Sequence, residues 1–417
     1  MKLELQKLQR QYQQWVDAKL SLNMERGWPC KEQLELSMPM LAVVNESTDL
    51  CREADYRGYA GTGGIEPLKT LFAAVLEVLP QEIYIGGTMS TTIMYDVVNK
   101  AALFGLDGHR AWKDEGKVKF ICPSPGYEKH FKICQTFGIE MVPVSMNQNG
   151  PDMRAVEQLA AQDSSVKGIW CVPLYSNPTG AIYSDKVVER LASMPTAAED
   201  FRIFWDNAYC VHHLTAERCK VKNIIRACEQ AGNPNRAFEF TSTSKITFPG
   251  GGVGVCASSL ENIKWLTDSS LLQLKSGDKI NQLRHALFLK DTDGICAHMN
   301  KHAQIIKPKF DLVDSILHEE LDELSLAKWV KPKGGYFINL ELLPHMASLV
   351  CELCKNAGVR ITPAGSTFPY GIDPEDKFLR LAPTYPSLDE LEQAMRLLCL
   401  TIKLAYLRGE KYESNCR

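Results

Sequence analysis

Residues 202–209 read Arg-Ile-Phe-Trp-Asp-Asn-Ala-Tyr, a run of β-forming residues that stops at an aspartate. Similar runs recur on both sides, separated by segments in which apolar residues have helical spacing. These other runs are 117–122, 141–144, 168–172, 237–240 and 253–257. Because strands that alternate with helices usually pair in parallel through helical crossovers, the sequence predicts an α/β fold with a mostly parallel sheet flanked by helices.

The spacing of apolar residues also suggests where domains begin and end. A helix is predicted from Pro67 to Leu79, since proline is tolerated in a first helical turn and large apolar residues then follow at helical spacing. From about residue 305 the pattern changes to a long helix, a glycine-containing hairpin signal at 333–337 and a closing helix over 388–407. We therefore expect a large domain over 46–304 and a smaller α+β domain formed by 305–417 with the N-terminal segment 1–45.

The composition is that of an ordinary globular protein, with 45% hydrophobic residues, 23% charged residues and a formal charge of -3. This balance gives no reason to expect nucleic acid as a partner. The N-terminus lacks the apolar core of a signal peptide, and no apolar run is long enough to cross a bilayer. The 14 cysteines show no spacing typical of zinc sites or disulfides. We expect a cytoplasmic protein with reduced cysteines, no bound metal and no membrane contact.

Four short motifs carry residues suited to chemistry. Asn-Pro-Thr-Gly at 177–180, Asp-Asn-Ala-Tyr at 206–209 and Ser-Thr-Ser-Lys at 242–245 each follow a predicted strand, and Arg380 stands in Phe-Leu-Arg-Leu-Ala-Pro. Taken singly, they could be a turn, a helix cap, a surface lysine and a surface salt bridge. The first three stand at the carboxyl ends of predicted parallel strands, where doubly wound sheets bind ligands. Together they predict a ligand site at that edge of the sheet.

The order, spacing and residue types of these motifs resemble the fold type I pyridoxal-phosphate enzymes, and specifically the class I and II aminotransferases. A further likeness, to an atypical aspartate-aminotransferase branch, comes from Arg-Gly-Tyr at 57–59, Gly-Gly-Ile at 63–65, Met-Tyr-Asp at 94–96 and Pro-Gly-Tyr at 125–127. The resemblance spans nearly the whole chain. It implies pyridoxal 5'-phosphate as the cofactor.

The resemblance also implies a role for each residue around the cofactor ring. Lys245 would hold the cofactor as a Schiff base and later move the proton of the substrate's Cα. Asp206 would pair with the pyridine nitrogen, while Asn177 and Tyr209 would donate hydrogen bonds to the ring oxygen. Tyr127 would stack on the ring, although core packing is an alternative role for it.

By the same resemblance, the phosphate would bind backbone amides at a helix start and nearby hydroxyls. Gly87, Thr88 and Met89 supply such a helix start, and Ser242 and Ser244 supply hydroxyls.

Two further features concern the same phosphate. Tyr59 would reach the phosphate of a neighbouring subunit, which implies a homodimer with shared active sites. Many relatives carry an arginine about eight residues after the lysine, but residues 248–253 read Phe-Pro-Gly-Gly-Gly-Val. The glycines leave room for backbone amides to replace it, and the partner of the phosphate's second charge is not identified by the sequence.

The substrate's α-carboxylate would bind Arg380, with Asn177 beside it. An acidic substrate also needs a cation for its side chain, and Arg284 (donated across a dimer), Arg26 and Arg57 all remain open. Trp28 stands where this branch is expected to have a lysine. The resemblance and these residues together predict transfer of the amino group of an acidic amino acid, with aspartate as the first candidate, to 2-oxoglutarate by a ping-pong mechanism.

Several alternatives remain open. The chain could be an aminotransferase for an aromatic or aliphatic amino acid, or a pyridoxal-phosphate lyase on the same fold. A transcription regulator with an aminotransferase-like sensor domain would need a helix-turn-helix module, and the segment before the motifs is too short for one. A purely structural α/β domain would have to produce all the motifs in the right order by chance.

Overall fold

The structure, a computed structural model, describes residues 2–51, 54–59 and 61–415. Its α-helices are α1 Lys2–Asp17, α2 Lys31–Glu35, α3 Glu66–Leu76, α4 Ser90–Phe104, α5 Glu128–Thr136, α6 Met153–Gln162, α7 Asp185–Ser193, α8 Ile224–Gln230, α9 Leu260–Ser270, α10 Lys279–Leu289, α11 Thr292–Leu321, α12 Ala347–Asn356 and α13 Leu388–Asn415. Its strands are β1 Leu22–Met24, β2 Ile83–Ile85, β3 Lys119–Ser124, β4 Glu140–Asn147, β5 Gly150–Pro151, β6 Val166–Cys171, β7 Arg202–Asp206, β8 Ala237–Ser242, β9 Gly254–Ala257, β10 Ala327–Trp329, β11 Ile338–Leu342, β12 Val359–Ile361 and β13 Phe378–Leu381.

The large sheet has the order β2-β9-β8-β7-β6-β3-β4-β5 in the described part of the chain. Strands β8, β7, β6, β3 and β4 run parallel to one another. Strands β6, β7 and β8 are buried at every position, because helices cover both faces of the sheet. The predicted α/β class with a mostly parallel sheet is confirmed.

The last predicted strand of this sheet runs in the opposite direction from the one expected. Strand β9 pairs antiparallel with both β8 and β2. Residues 243–253 between β8 and β9 hold a single 3-10 turn, Pro249–Gly251, and no α-helix. Parallel neighbours need a crossover connection, which is usually an α-helix, and this connection has none. Strand β9 therefore returns beside β8 as an antiparallel neighbour.

Helix α3 begins where Pro67 predicted it but ends before Leu79. Glu77 follows the helix with a left-handed backbone (φ 55°, ψ 45°), and this conformation terminates the helix. Leu79 is 56% exposed rather than part of the buried stripe. Pro80 follows at the start of a 3-10 turn, Pro80–Glu82, which redirects the chain into β2.

The C-terminal part forms a smaller antiparallel sheet of order β10-β11-β13, so the predicted hairpin at 333–337 is confirmed. The N-terminal segment packs here as well: β1 pairs with β12, and the Tyr12 hydroxyl donates to the Leu353 carbonyl at 2.9 Å. The domain limits at 45 and 304 stay a prediction, and helix α11 runs through the second of them without a break. None of the helices in the described ranges has the length and apolarity needed to span a bilayer.

Candidate active site

The carboxyl ends of the central strands open into a cavity of about 570 Å³ that also takes residues from the smaller sheet and the N-terminal segment. Most of the predicted site residues line it: Met89, Tyr127, Asn177, Asp206, Tyr209, Ser242, Ser244, Lys245 and Arg380. Gly87 and Thr88 line a second cavity of about 200 Å³. Tyr59 and Arg284 line neither. One chain thus brings together most of the predicted site but not the two residues assigned to a neighbouring subunit.

Lys245 lies in the loop after β8, with its Nζ 5.2 Å from the ring centroid of Tyr209 and 5.8 Å from that of Tyr336. Burial lowers the pKa of this amine, although the carboxylates of Asp206 and Glu128 oppose the shift. A lowered pKa raises the fraction of neutral amine, which is the nucleophilic form. The environment therefore favours a lysine that reacts with a carbonyl carbon.

Asp206 ends β7 and is 3% exposed. One carboxylate oxygen, Oδ2, accepts a hydrogen bond from His130 Nε2 at 3.0 Å. The other, Oδ1, has no hydrogen-bond partner among the described residues. A buried oxygen without a partner is costly, so this atom is suited to a ligand donor in the cavity.

His130 is a site residue that the sequence reasoning missed. Its ring stacks on Trp170 with centroids 4.4 Å apart and planes at 8°, while Tyr127 meets it edge-on at 5.1 Å. The stack fixes the imidazole that hydrogen-bonds Asp206. The signal that could have revealed it is its spacing, since His130 follows Tyr127 by three residues at the start of α5 and shares its helix face.

Arg380 lies on β13 and is 4% exposed. Its Nε donates to Thr362 Oγ1 at 3.2 Å, its Nη1 donates to Asn177 Oδ1 at 3.4 Å, and its plane lies 4.6 Å over the ring of Phe337. Glu128 forms a two-point ion pair with the same guanidinium. A buried, oriented guanidinium of this kind suits a carboxylate ligand, and its pairing with Glu128 was not expected from the sequence.

Tyr209 and Tyr127 supply the aromatic walls. Tyr209 is buried and stacks on Tyr336 with centroids 6.2 Å apart. Burial raises the pKa of both site phenols, so they stay protonated and can donate hydrogen bonds. The predicted stacking of Tyr127 on a cofactor stays a prediction.

The candidate phosphate site lies where α4 begins. Met89 occupies the N-cap position of α4 and offers no side-chain acceptor. Its carbonyl accepts from Thr92 N at 3.2 Å, and the amides before Thr92 in this first turn suit an anion. The Ser242 hydroxyl donates to Ser244 at 3.1 Å, and Ser244 donates to the Thr88 carbonyl at 3.3 Å. A Cβ on Gly252 would lie 2.8 Å from that carbonyl, so glycine is needed there for the two loops to approach.

The three candidate cations for a substrate side chain occupy different positions. Arg26 lines the cavity, and its guanidinium lies 5.1 Å over the ring of Trp28. Arg57 pairs with Asp55 on the exposed surface, away from the cavity. Arg284, on α10, has an Nε that is buried without a partner in the part of the chain that the structure describes. Within one chain, Arg26 alone of the three faces the site.

The fold and this site define an aminotransferase of pyridoxal-phosphate fold type I. A family model described as aspartate amino-transferase matches residues 3–412, and the chain belongs to that family. The family uses pyridoxal phosphate, and the pocket fits it: a carboxylate oxygen without a partner, an amine of lowered pKa and an uncapped helix start face one cavity.

Named relatives agree with this assignment. The chain is 44% identical over 400 residues to an aspartate aminotransferase of Corynebacterium glutamicum, which covers 95% of this chain and 92% of that protein. It is similar to the crystal structure of an aspartate transaminase from Corynebacterium glutamicum, with a TM-score of 0.94, 43% identity and coverage of 97% and 95%. An α-aminoadipate aminotransferase from Thermus thermophilus, complexed with N-(5'-phosphopyridoxyl)-L-leucine, shares the fold at a TM-score of 0.75 and 21% identity over 93% of each chain.

Proposed function

We propose that this aminotransferase moves the amino group of aspartate to 2-oxoglutarate by a ping-pong mechanism, as a cytoplasmic homodimer. The single observation that carries the proposal is the presence of Lys245, Asp206 and the buried guanidinium of Arg380 in one cavity. The donor is proposed from the relative named an aspartate aminotransferase at 44% identity.

When bound, pyridoxal phosphate supplies an electron sink that stabilises negative charge on the substrate's Cα. Asp206, held by His130, would keep a proton on the ring nitrogen through its unpaired Oδ1. Asn177 and Tyr209 would donate to the ring oxygen. The first turn of α4 with Ser242 and Ser244 would hold the phosphate.

Lys245 has two tasks in this proposal. Its amine would hold the cofactor at the aldehyde carbon, and a lowered pKa favours the neutral form that this requires. When an incoming amino acid takes its place, the free amine would be the base for the substrate's Cα proton and the acid that returns it. The buried rings of Tyr209 and Tyr336 lie beside this amine and supply an apolar side to its surroundings.

The substrate would be held at two points. Arg380 would bind the α-carboxylate, and a second cation would bind the side-chain carboxylate. Arg26 is available within the chain. The partner subunit's Arg284 is the alternative, and the 82% exposure of Tyr59 supports a surface that a second chain completes.

The test is an amino-donor panel with 2-oxoglutarate, followed by product analysis. We expect aspartate to give oxaloacetate and glutamate faster than any aromatic or aliphatic donor, with parallel double-reciprocal lines. A faster aromatic or aliphatic donor would contradict the donor assignment, and release of ammonia instead of glutamate would indicate a lyase.

Two arginine variants locate the second cation. Arg26→Gln and Arg284→Gln should be compared, because loss of the cation that binds the side-chain carboxylate should raise the KM of aspartate without raising that of alanine. Arg57→Gln is the matched control, since Arg57 pairs with Asp55 outside the cavity. Light scattering of the same preparations measures the oligomeric state.

A further inference from the structure

The guanidinium of Arg380 is almost fully occupied by the protein itself. Of its five N–H donors, Nε donates to Thr362, Nη1 donates to Asn177 and Glu128, and Nη2 donates to Glu128 Oε1 at 3.2 Å. Among the contacts within the described residues, one N–H is left. A carboxylate that binds an arginine at two points needs two.

The two N–H groups that Glu128 uses are those at the end of the guanidinium, on Nη1 and Nη2. A substrate carboxylate bound end-on would use the same pair. From this coincidence, and on the proposed function that makes Arg380 the carboxylate anchor, we infer that Glu128 is a built-in competitor of the substrate. It holds Arg380 in the free enzyme and is displaced when a substrate carboxylate binds.

Glu128 stays charged in this position. It is the first residue of α5, where the helix dipole favours an anion. Burial by itself raises the pKa of this carboxyl, but attraction to Arg380 and the hydrogen bonds from it outweigh burial and leave the pKa below its usual value. The competitor is therefore a full carboxylate at neutral pH.

A displaced Glu128 has a second cation within reach. Lys132 lies one helical turn further along α5, on the same face as Glu128, and its charge already acts on that carboxyl. Both residues line the cavity, and Lys132 is exposed. Before the substrate binds, Arg380 pairs with Glu128. After it binds, Arg380 pairs with the substrate and Glu128 pairs with Lys132, so no charge is left unpaired.

This exchange sets a condition on the ligand. An anion with a single carboxylate gains about as much binding free energy at Arg380 as is lost when Glu128 leaves. Such an anion therefore binds weakly. A ligand with a second anionic group adds a contact that Glu128 cannot replace. Glu128 therefore lowers the affinity for every carboxylate ligand by the same factor, so that only a ligand with a further contact binds tightly.

The test is calorimetric titration of the holoenzyme with maleate, a dicarboxylate that has no amino group and cannot react. In Glu128→Gln, which keeps the size and removes the charge, the Kd of maleate should fall by about tenfold, the factor for one charge-assisted contact that no longer has to be broken. The KM values of aspartate and 2-oxoglutarate should fall in parallel. Lys132→Gln should raise the Kd of maleate in the parent and leave it unchanged in the Glu128→Gln background.

Glu157→Gln is the matched control, because Glu157 makes the same kind of two-point pair with Arg190, at 2.7 Å for both bonds and outside the cavity. It should leave the Kd unchanged. An unchanged or weaker affinity for maleate in Glu128→Gln would overturn the inference, since Glu128 would then only orient Arg380. The proposed function is tested separately by Arg380→Lys: if this variant binds maleate as tightly as the parent, Arg380 is not the carboxylate anchor.

Discussion

Two buried carboxylates on neighbouring strands of the large sheet have opposite surroundings. Asp206 ends β7 and lies beside Phe240 of β8 in the strand register, whereas Glu239 of β8 lies beside Trp205 of β7. Because side chains alternate between the faces of a sheet, Asp206 and Glu239 point to opposite faces. Asp206 faces the active-site cavity, and Glu239 lines a different cavity on the far side.

The partners of the two carboxylates differ. Asp206 accepts a hydrogen bond from the imidazole of His130, and its carboxylate interacts electrostatically with the amine of Lys245. Glu239 has one neutral partner, the Asn207 amide at 2.8 Å, and its Oε2 has none among the described residues. Burial raises the pKa of Glu239 to about 7, and the bond from Asn207 offsets this only in part. Burial without a charged partner thus raises the pKa of Glu239, whereas Asp206, which is equally buried, has His130 and Lys245 beside it.

The largest effect is expected from Asp206→Asn. This change keeps the size of the side chain and removes its charge, so the ring nitrogen of the cofactor loses the group that holds its proton. We expect kcat to fall by about 10²- to 10³-fold, the usual cost of removing one preorganised electrostatic partner. Steady-state kinetics measures kcat, and Glu239→Gln is the matched control. Equal losses of kcat in the two variants would show that the two carboxylates do not differ in their role in catalysis.

A smaller effect is expected from His130→Phe, which keeps a flat ring on Trp170 and removes the hydrogen bond to Asp206. We expect kcat to fall by about tenfold, because a hydrogen bond to a charged group is lost while the carboxylate remains. His130 acts through Asp206, so the change should have no further effect in the Asp206→Asn background. Additive losses in the double variant would show that His130 acts on something else.

The smallest effect, and one on stability rather than activity, is expected from Glu239→Gln. The folded-state pKa of Glu239, about 7, lies above that of an unfolded glutamate, so its contribution is fully present below the unfolded pKa and is lost as the pH rises through 7. The parent should therefore lose stability between about pH 5 and pH 8, and the variant should avoid about 2 kcal/mol of that loss.

Denaturant unfolding of the parent and of Glu239→Gln across that pH range tests this expectation. Asp206→Asn is the comparison variant, since Asp206 is hydrogen-bonded to His130 whereas Glu239 is hydrogen-bonded only to the neutral amide of Asn207. Parallel stability curves for the parent and Glu239→Gln would show that Glu239 does not titrate in this window.

The strands and the motif residues could be predicted from the sequence because their signals are local. Runs of β-forming residues located β3, β4, β6, β7 and β8 to within a few residues, and Asn177, Asp206 and Lys245 stand at or just beyond strand ends. The direction of β9 could not be predicted, because it depends on whether the connection after Lys245 contains a helix that crosses over the sheet.

The partners of those motif residues were harder to predict from the sequence. His130 and Glu128 look like ordinary residues in the first turn of a helix, and their significance depends on Asp206 and Arg380, which are far away in the chain. Glu239 stands in the β-forming run at 237–240, and the structure buries it because helices cover both faces of the sheet. The roles of Tyr59 and Arg284 depend on a second chain and remain predictions.

Lys245 is the residue on which the proposed transamination depends. The absorbance spectrum of the protein with pyridoxal phosphate, before and after aspartate, should be recorded for the parent and for Lys245→Ala. We expect a visible band of the covalently held cofactor in the parent alone, which aspartate converts to an ultraviolet-absorbing form and 2-oxoglutarate restores. A parent without the band would contradict the role of Lys245, and a band that aspartate leaves unchanged would contradict aspartate as the donor.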